Sequence, residues 1–273
     1  MHAGKHSKQA MVGSQGPAAW KNRKEEDIQM KLHRLLITAA LLFPVTAMAD
    51  TIGLYVGAGQ WDHEATGGFR DSGTVNIDSG ALNLVDNREG YFYVNIEHPV
   101  PLIPNIRLAS TDLVHNGANG TVTGTFDGQT FTATNVTSII DFSHTDVTLY
   151  YELLDNVVSL DLGITARQLD GQIYLTDGTN TGQVTLDEIV PMVYGKVAFD
   201  LPLTGLAIVG EGNFLSVGDA DVTDISVKVT YETDFLLGVE AGVRTFSLVL
   251  DNVDTVTSDL EFSGPFVGLY LHF

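Results

Sequence analysis

From Asp50 onward, apolar side chains alternate with polar or small ones in runs of about ten residues, and clusters of Gly, Asn, Asp and Thr separate the runs. In VVSLDLGITARQ, Val158, Leu160, Leu162, Ile164 and Ala166 fall on one side of a strand, and Ser159, Asp161, Gly163, Thr165 and Arg167 on the other. Successive strand side chains point to opposite faces, so one face is apolar and the other wet. The split recurs in DISVKVTYE, in YFYVNIEH, where Phe92, Val94 and Ile96 oppose Tyr93, Asn95 and Glu97, and in LGVEAGVR, where Leu237, Val239, Ala241 and Val243 oppose Gly238, Glu240, Gly242 and Arg244. Applied to the whole stretch, the rule predicts ten strands at about 51–61, 89–98, 105–115, 137–152, 157–169, 188–200, 205–217, 223–232, 236–250 and 257–273.

The connections alternate in length. HPVPLIPN, LLDN, LPLTG and TDFL are short; 62–88, 116–136 and 170–187 are long and polar, and only the last two on that side are brief. Short turns at one end and longer loops at the other are expected of a transmembrane barrel with both chain ends on the short-turn side. Alternation alone also fits a secreted β-sandwich or a lipocalin-like barrel, whose apolar faces turn inward, because periodicity does not report which way a face points.

Ahead of Asp50, MKLHRLLITAALLFPVTAMAD has the three parts of a secretory signal. Lys31, His33 and Arg34 precede an apolar run from Leu35 to Phe43, and Ala47-Met48-Ala49 forms an A-x-A site with cleavage before Asp50. The run is shorter than the roughly 20 residues a membrane helix needs, and Pro44 interrupts it. Residues 1–29 are polar and basic, and Met30 would itself serve as a start, so they are read as a mis-assigned extension. The expected organisation is a leader at 30–49 and one domain at 50–273.

Of the 14 basic and 34 acidic residues, seven and three lie before Asp50, leaving a mature charge of −24. That excludes nucleic acid as a partner, since phosphate binding needs clustered cations. Loosely held divalent cations on acidic loops are compatible with it. Cysteine is absent, which removes disulfides, thiolate metal sites and a cysteine nucleophile.

In PFVGLYLHF the chain ends on Phe273, with Leu271, Leu269 and Val267 on the same face and Tyr270 on the other. This resembles the C-terminal signal that the barrel-assembly machinery reads in proteobacterial outer-membrane proteins. With the leader and the alternation, the mature chain is similar to the small outer-membrane β-barrel families of about this size. The resemblance implies an all-β fold, a single closed antiparallel transmembrane barrel of about ten strands, with eight or twelve as alternatives. It places that barrel in the outer membrane of a Gram-negative bacterium, against lipid and lipopolysaccharide. It implies no activity, because the fold hosts adhesins, proteases, lipid-modifying enzymes, pores and structural proteins.

If the apolar faces meet lipid, the opposite faces put Glu97, Asp161, Arg167, Lys196, Asp200, Glu211, Asp224, Lys228, Glu232, Glu240 and Arg244 into the lumen. Buried charges at that density must pair, and about ten strands make a tube that side chains can fill. The expected role is structural or interactive at the cell surface. A narrow porin-like channel for small polar or cationic solutes is the alternative, since acids outnumber bases in this set.

For catalysis, the nearest precedent is the omptin proteases, whose ten-stranded barrels carry acidic residues and a His at the rim. Asp141 with His144, Asp62 with His63, and Asp112 with His115 are Asp/His pairs at loop–strand junctions, but none reproduces an omptin motif, and no G-x-S-x-G or H-E-x-x-H occurs. No catalytic residue and no cofactor are expected, and a lipid A-modifying activity has no better support. Asp177 to Glu188 has the Asp, Gly and Glu of an EF-hand loop at positions 1, 6 and 12, but Thr179 and Thr181 are weak ligands there and the flanks read as strands, so no metal is expected. Trp61, Tyr91, Tyr150, Tyr151, Tyr194 and Tyr231, near strand ends, are expected in interfacial girdles.

Overall fold

The computed structural model describes residues 52–70, 77–100, 102–253 and 256–273. The extension at 1–29, the leader at 30–49 and its cleavage point at Ala47, Ala49 and Asp50 lie outside the described residues. Sixteen strands are described: β1 (Gly53–Thr66), β2 (Gly68–Arg70), β3 (Ile77–Asp78), β4 (Asn87–Glu97), β5 (Asn105–Thr111), β6 (Val114–Phe126), β7 (Gln129–Asp141), β8 (His144–Leu154), β9 (Val158–Leu169), β10 (Gly171–Thr176), β11 (Thr181–Leu186), β12 (Ile189–Leu201), β13 (Leu206–Val217), β14 (Ala220–Glu232), β15 (Leu237–Val253) and β16 (Val256–His272).

Ten of them form the wall, in the order β1-β4-β5-β8-β9-β12-β13-β14-β15-β16, each antiparallel to the next, and β16 returns to pair with β1. The seam runs from Tyr55 opposite His272 to Thr66 opposite Glu261. Below it, Leu54 and Phe273 exchange both backbone hydrogen bonds, at 3.2 and 2.9 Å. Closure leaves no unpaired edge, which a spanning structure requires in hydrocarbon. The apolar faces point outward: Leu108, Leu149, Ile164, Val193, Val227 and Leu269 are exposed on the wall, while Thr148, Asp161, Thr165 and Glu240 are buried inside it. This is the polarity of a barrel immersed in lipid.

The long segments 116–136 and 170–187 are strands, contrary to the loops expected from their composition. β6 with β7 and β10 with β11 are hairpins that leave the wall at short breaks, Asp112–Leu113, Phe142–Ser143, Asp170 and Asp187–Glu188, and pair as a second sheet in the order β11-β10-β7-β6. The expected strand 137–152 is thus two strands, the end of β7 and β8. The sheet buries Val122, Phe126, Phe131, Val136, Ile140, Ile173 and Leu175 in one core with Val222, Phe246, Leu260 and Phe262 from β14 to β16. Each large apolar side chain so buried contributes about 1.5–3 kcal/mol. The sheet is a lid on the long-loop end of the barrel.

Wall and lid demand opposite polarities of one strand. On β15 the apolar side chains are Val239, Ala241 and Val243, facing out, and then Phe246, facing in, with the change of phase at Arg244. On β16 they are Val267, Leu269 and Leu271 outward but Leu260 and Phe262 inward. Below the change lipid covers the outer face; above it water does, and the core must form inside.

Candidate functional site: the lumen and its lid

The inward side chains of the wall build two charge clusters. In the upper one, directly beneath the lid core, Arg167 on β9 donates to both carboxylate oxygens of Asp146 on β8, at 2.8 Å each, and reaches across the lumen to Asp224 on β14 at 2.6 Å. Arg244 donates to both oxygens of Asp224, at 2.8 and 2.7 Å, and to Thr111 Oγ1 at 3.0 Å. Its guanidinium lies 4.8 Å from the Trp61 ring. The bidentate forks fix both arginines, and such paired geometry makes the full burial of Arg167 and the partial burial of Arg244 tolerable.

In the lower cluster Arg107 on β5 pairs with Glu211 on β13 at 3.1 Å, across the barrel. Lys228 Nζ donates to Glu240 Oε2 at 2.7 Å. Tyr91 donates to Glu240 Oε1 at 2.7 Å and Tyr194 to Glu211 at 3.1 Å. Nearer the short turns, Lys196 pairs with Asp161 at 2.9 Å, Tyr150 donates to Glu97 at 2.8 Å, and Glu232 holds His272 at 2.9 Å and Tyr270 at 3.3 Å. Between the two clusters lies a cavity of about 70 Å³, bordered by Tyr93, Arg107, Glu240, Asp224 and Arg244, large enough for a few water molecules.

Of the residues assigned to the lumen from the sequence, Glu97, Asp161, Arg167, Lys196, Glu211, Asp224, Lys228, Glu232, Glu240 and Arg244 take part in these inward ion pairs and hydrogen bonds. Asp200 is a correction: it has the inward parity on β12 but sits at the strand's end, exposed, and in none of the ion pairs among the described residues. The wall stops at that level, so water reaches the carboxylate. Arg107 and Asp146 were missed, although the alternation of Ile106-Arg107-Leu108 and Asp146-Val147 places both charges inside.

The aromatic girdle is corrected too. Tyr151 and Tyr231 are exposed on the outer wall, but Trp61, Tyr150 and Tyr194 are buried and Tyr91 half-buried, all inward. Cross-strand glycines make the room: Tyr91 pairs with Gly59, Tyr93 with Gly57 and Tyr150 with Gly163. A methyl group at Gly57 or Gly59 would collide with the tyrosine ring. Folded over glycine, each ring fills the tube while its hydroxyl reaches a lumenal carboxylate.

Neither Asp62 with His63 nor Asp141 with His144 is assembled, and the ring nitrogens of His115 face His63 and the Val85 carbonyl. Asp62 faces outward and pairs with Arg88; His63 instead contacts His115, Nδ1 to Nε2, at 2.8 Å. Asp141 accepts from the Ser143 amide, and His144 Nδ1 donates to the Phe142 carbonyl. The EF-hand spacing is a hairpin: Asp177 caps the β10–β11 turn through the amides of Asn180 and Thr179, hydrogen bonds that hold its carboxyl below the usual range. Glu188 lies beyond the six residues of β11, about 20 Å of extended chain away. Among the described residues no group of three or more His, Asp or Glu is placed to hold a metal ion. At the end of β16, Val267, Leu269, Leu271 and Phe273 are exposed on the wall, and Tyr270 is buried in the lumen.

No protein-family model matches the chain, and no curated protein matches it. Solved structures share its barrel architecture at low similarity. The outer membrane protease OmpT from Escherichia coli is 11% identical over 84% of this chain and 99% of its own, with a TM-score of 0.41. The transport unit of the autotransporter AIDA-I from Escherichia coli is 8% identical over 85% and 93%, with a TM-score of 0.36. The CymD monoaromatic hydrocarbon channel is 7% identical over 83% and 89%, with a TM-score of 0.33. Scores at this level carry no role from those proteins to this one.

Proposed function

We propose that the mature chain is an integral barrel of a Gram-negative outer membrane whose sealed lumen makes it an anchor for a surface-displayed lid, with a structural or interactive role in place of conduction. The observation that carries this reading is the stack of obstacles along the barrel axis: an apolar core under the lid, then Arg167, Asp224 and Arg244 across the lumen, then Arg107 with Glu211 and Lys228 with Glu240. Export by the leader at 30–49, contact with lipopolysaccharide and recognition of Val267, Leu269, Tyr270, Leu271 and Phe273 by the assembly machinery belong to the same reading. Any divalent cations sit loosely on the acidic surface, and the barrel catalyses nothing.

Planar-bilayer recording of the refolded protein tests the seal. No discrete current is expected at neutral pH; reproducible, salt-dependent steps would establish the narrow channel, whose support is the polar cavity between the clusters. Recovery in the outer-membrane fraction with heat-modifiable migration tests the location, and soluble periplasmic protein would refute it. Altered lipid A or cleavage of basic peptides would refute the absence of catalysis.

A further inference from the structure

We propose that the short turns of the barrel are seated in the adjoining lipid leaflet, with Leu102, Ile103, Leu203, Phe235 and Leu236 as anchors; this rests on the membrane reading above. The turns join β4 to β5, β8 to β9, β12 to β13 and β14 to β15. Leu102 is 91% exposed, Leu203 fully exposed and Phe235 86% exposed, so none of the three gains by packing within the chain. Three of the turns also hold a leucine in the left-handed region: φ is 71° at Leu102, 67° at Leu203 and 65° at Leu236. Asparagine or glycine tolerates that conformation far better. A residue that strains the backbone and gains nothing inside the protein is explained by what it touches outside.

Lipid is the occupant that the surroundings favour. The apolar wall runs into the turns: Leu153 and Leu154 end β8, Val157 and Val158 begin β9, and Leu237 follows Leu236 directly, all exposed. The Tyr151 hydroxyl, on the outer wall, donates to the Leu102 carbonyl at 3.0 Å and holds the first turn against the lipid-facing surface. Segments 98–104, 155–157, 202–205 and 233–236 contain no Lys or Arg, so nothing cationic at the tips opposes burial. Asp155 and Asp234 are exposed beside these tips, at the depth where amphipathic surfaces meet headgroups.

The chain has no cysteine, so single variants can each carry one nitroxide label. Leu203→Cys and Phe235→Cys are compared with Leu162→Cys on the wall and Thr132→Cys on the lid, all refolded into phosphatidylethanolamine–phosphatidylglycerol vesicles. Collisions with oxygen report lipid, and collisions with an aqueous nickel chelate report water. The turn labels are expected to give oxygen-to-chelate ratios nearer the wall label than the lid label. Chelate-accessible turn labels beside an oxygen-accessible wall label overturn the proposal and point to a periplasmic protein on the tips. A chelate-accessible wall label removes the membrane reading itself, and the proposal with it.

Discussion

His63 on β1 and His115 on β6 meet at 2.8 Å and join the barrel to the lid. The contact fixes both tautomers. His115 Nδ1 lies 2.9 Å from the Val85 carbonyl, to which only an N–H can donate; its Nε2 therefore accepts from His63 Nδ1–H, and His63 Nε2 is left as a buried acceptor with no partner among the described residues. His115 must be neutral for the contact to stand, because a second proton would occupy its accepting Nε2; a proton on His63 Nε2 would leave the hydrogen bond intact but put an unpaired charge in a buried site. It lies above the lipid belt, whose apolar residues on β1 end at Ala58, before outward Gln60, Asp62 and Glu64.

The first prediction is that acid loosens the lid. Burial, then the neighbouring His115 and Arg244, lower the His63 pKa to about 4 against the partial opposition of Asp62. Burial lowers His115 as well, opposed by its bond to Val85 and by Asp86. The freed imidazoles titrate near 6.5, so between there and about 4 the open form binds more protons and closure weakens as pH falls; above that window it is fully retained. Limited proteolysis of the β6–β7 hairpin should accelerate toward about pH 4.5 and lose that dependence in His63→Phe with His115→Leu. A cleavage rate flat across the window would show that the pair does not control the lid.

Removing Arg167 should destabilise the barrel severely. Arg167→Ala leaves Asp146 without its bidentate partner and Asp224 with Arg244 alone, a loss of about 3–5 kcal/mol for a broken buried pair. Adding Asp146→Leu to Arg167→Met should recover part of that, because no unpaired charge is then left at Asp146. Urea unfolding in micelles measures both; a single variant as stable as the parent would mean that water replaces the guanidinium without penalty.

The lid core is expected to fail separately from the wall. Phe131 is fully buried beneath β7, and Phe131→Ala removes about 3–5 kcal/mol of packing. Because the lid hairpins pair in a sheet of their own, apart from the closed ladder of the wall, the variant should become protease-sensitive between 116 and 136 and keep its heat-modifiable migration. Loss of migration along with the lid would make the two one cooperative unit.

A methyl group at one lumenal glycine should be felt. Gly238 on β15 pairs with Tyr270 on β16 and lies under its ring. Gly238→Ala forces that ring off its rotamer, at about 1–3 kcal/mol by overpacking, and strains its bond to Glu232. Gly238→Ala with Tyr270→Phe should be no better, since the ring and not the hydroxyl collides; recovery in the double variant would place the strain at the hydroxyl instead.

The sequence by itself determined the wall. An apolar residue at every second position, ten times over, needs one medium on one face and another on the opposite face, and the parity of Leu160, Leu162 and Ile164 against Asp161, Thr165 and Arg167 assigns nearly every lumenal charge. It also held a sign of the lid, in the phase change from Val239, Ala241 and Val243 to Phe246, and in Phe126 and Phe131 within a stretch that averages as polar. What only the tertiary structure decided is which distant strands those residues meet. Arg107 finds Glu211 across the tube and His63 finds His115 beneath the lid because closure brings together strands far apart in sequence, and local periodicity carries no information about the far wall. Tyr91, Tyr150 and Tyr194 already have the inward parity in the sequence, but the glycines that make room for Tyr91 and Tyr150 and the carboxylates that all three hydroxyls reach lie on other strands.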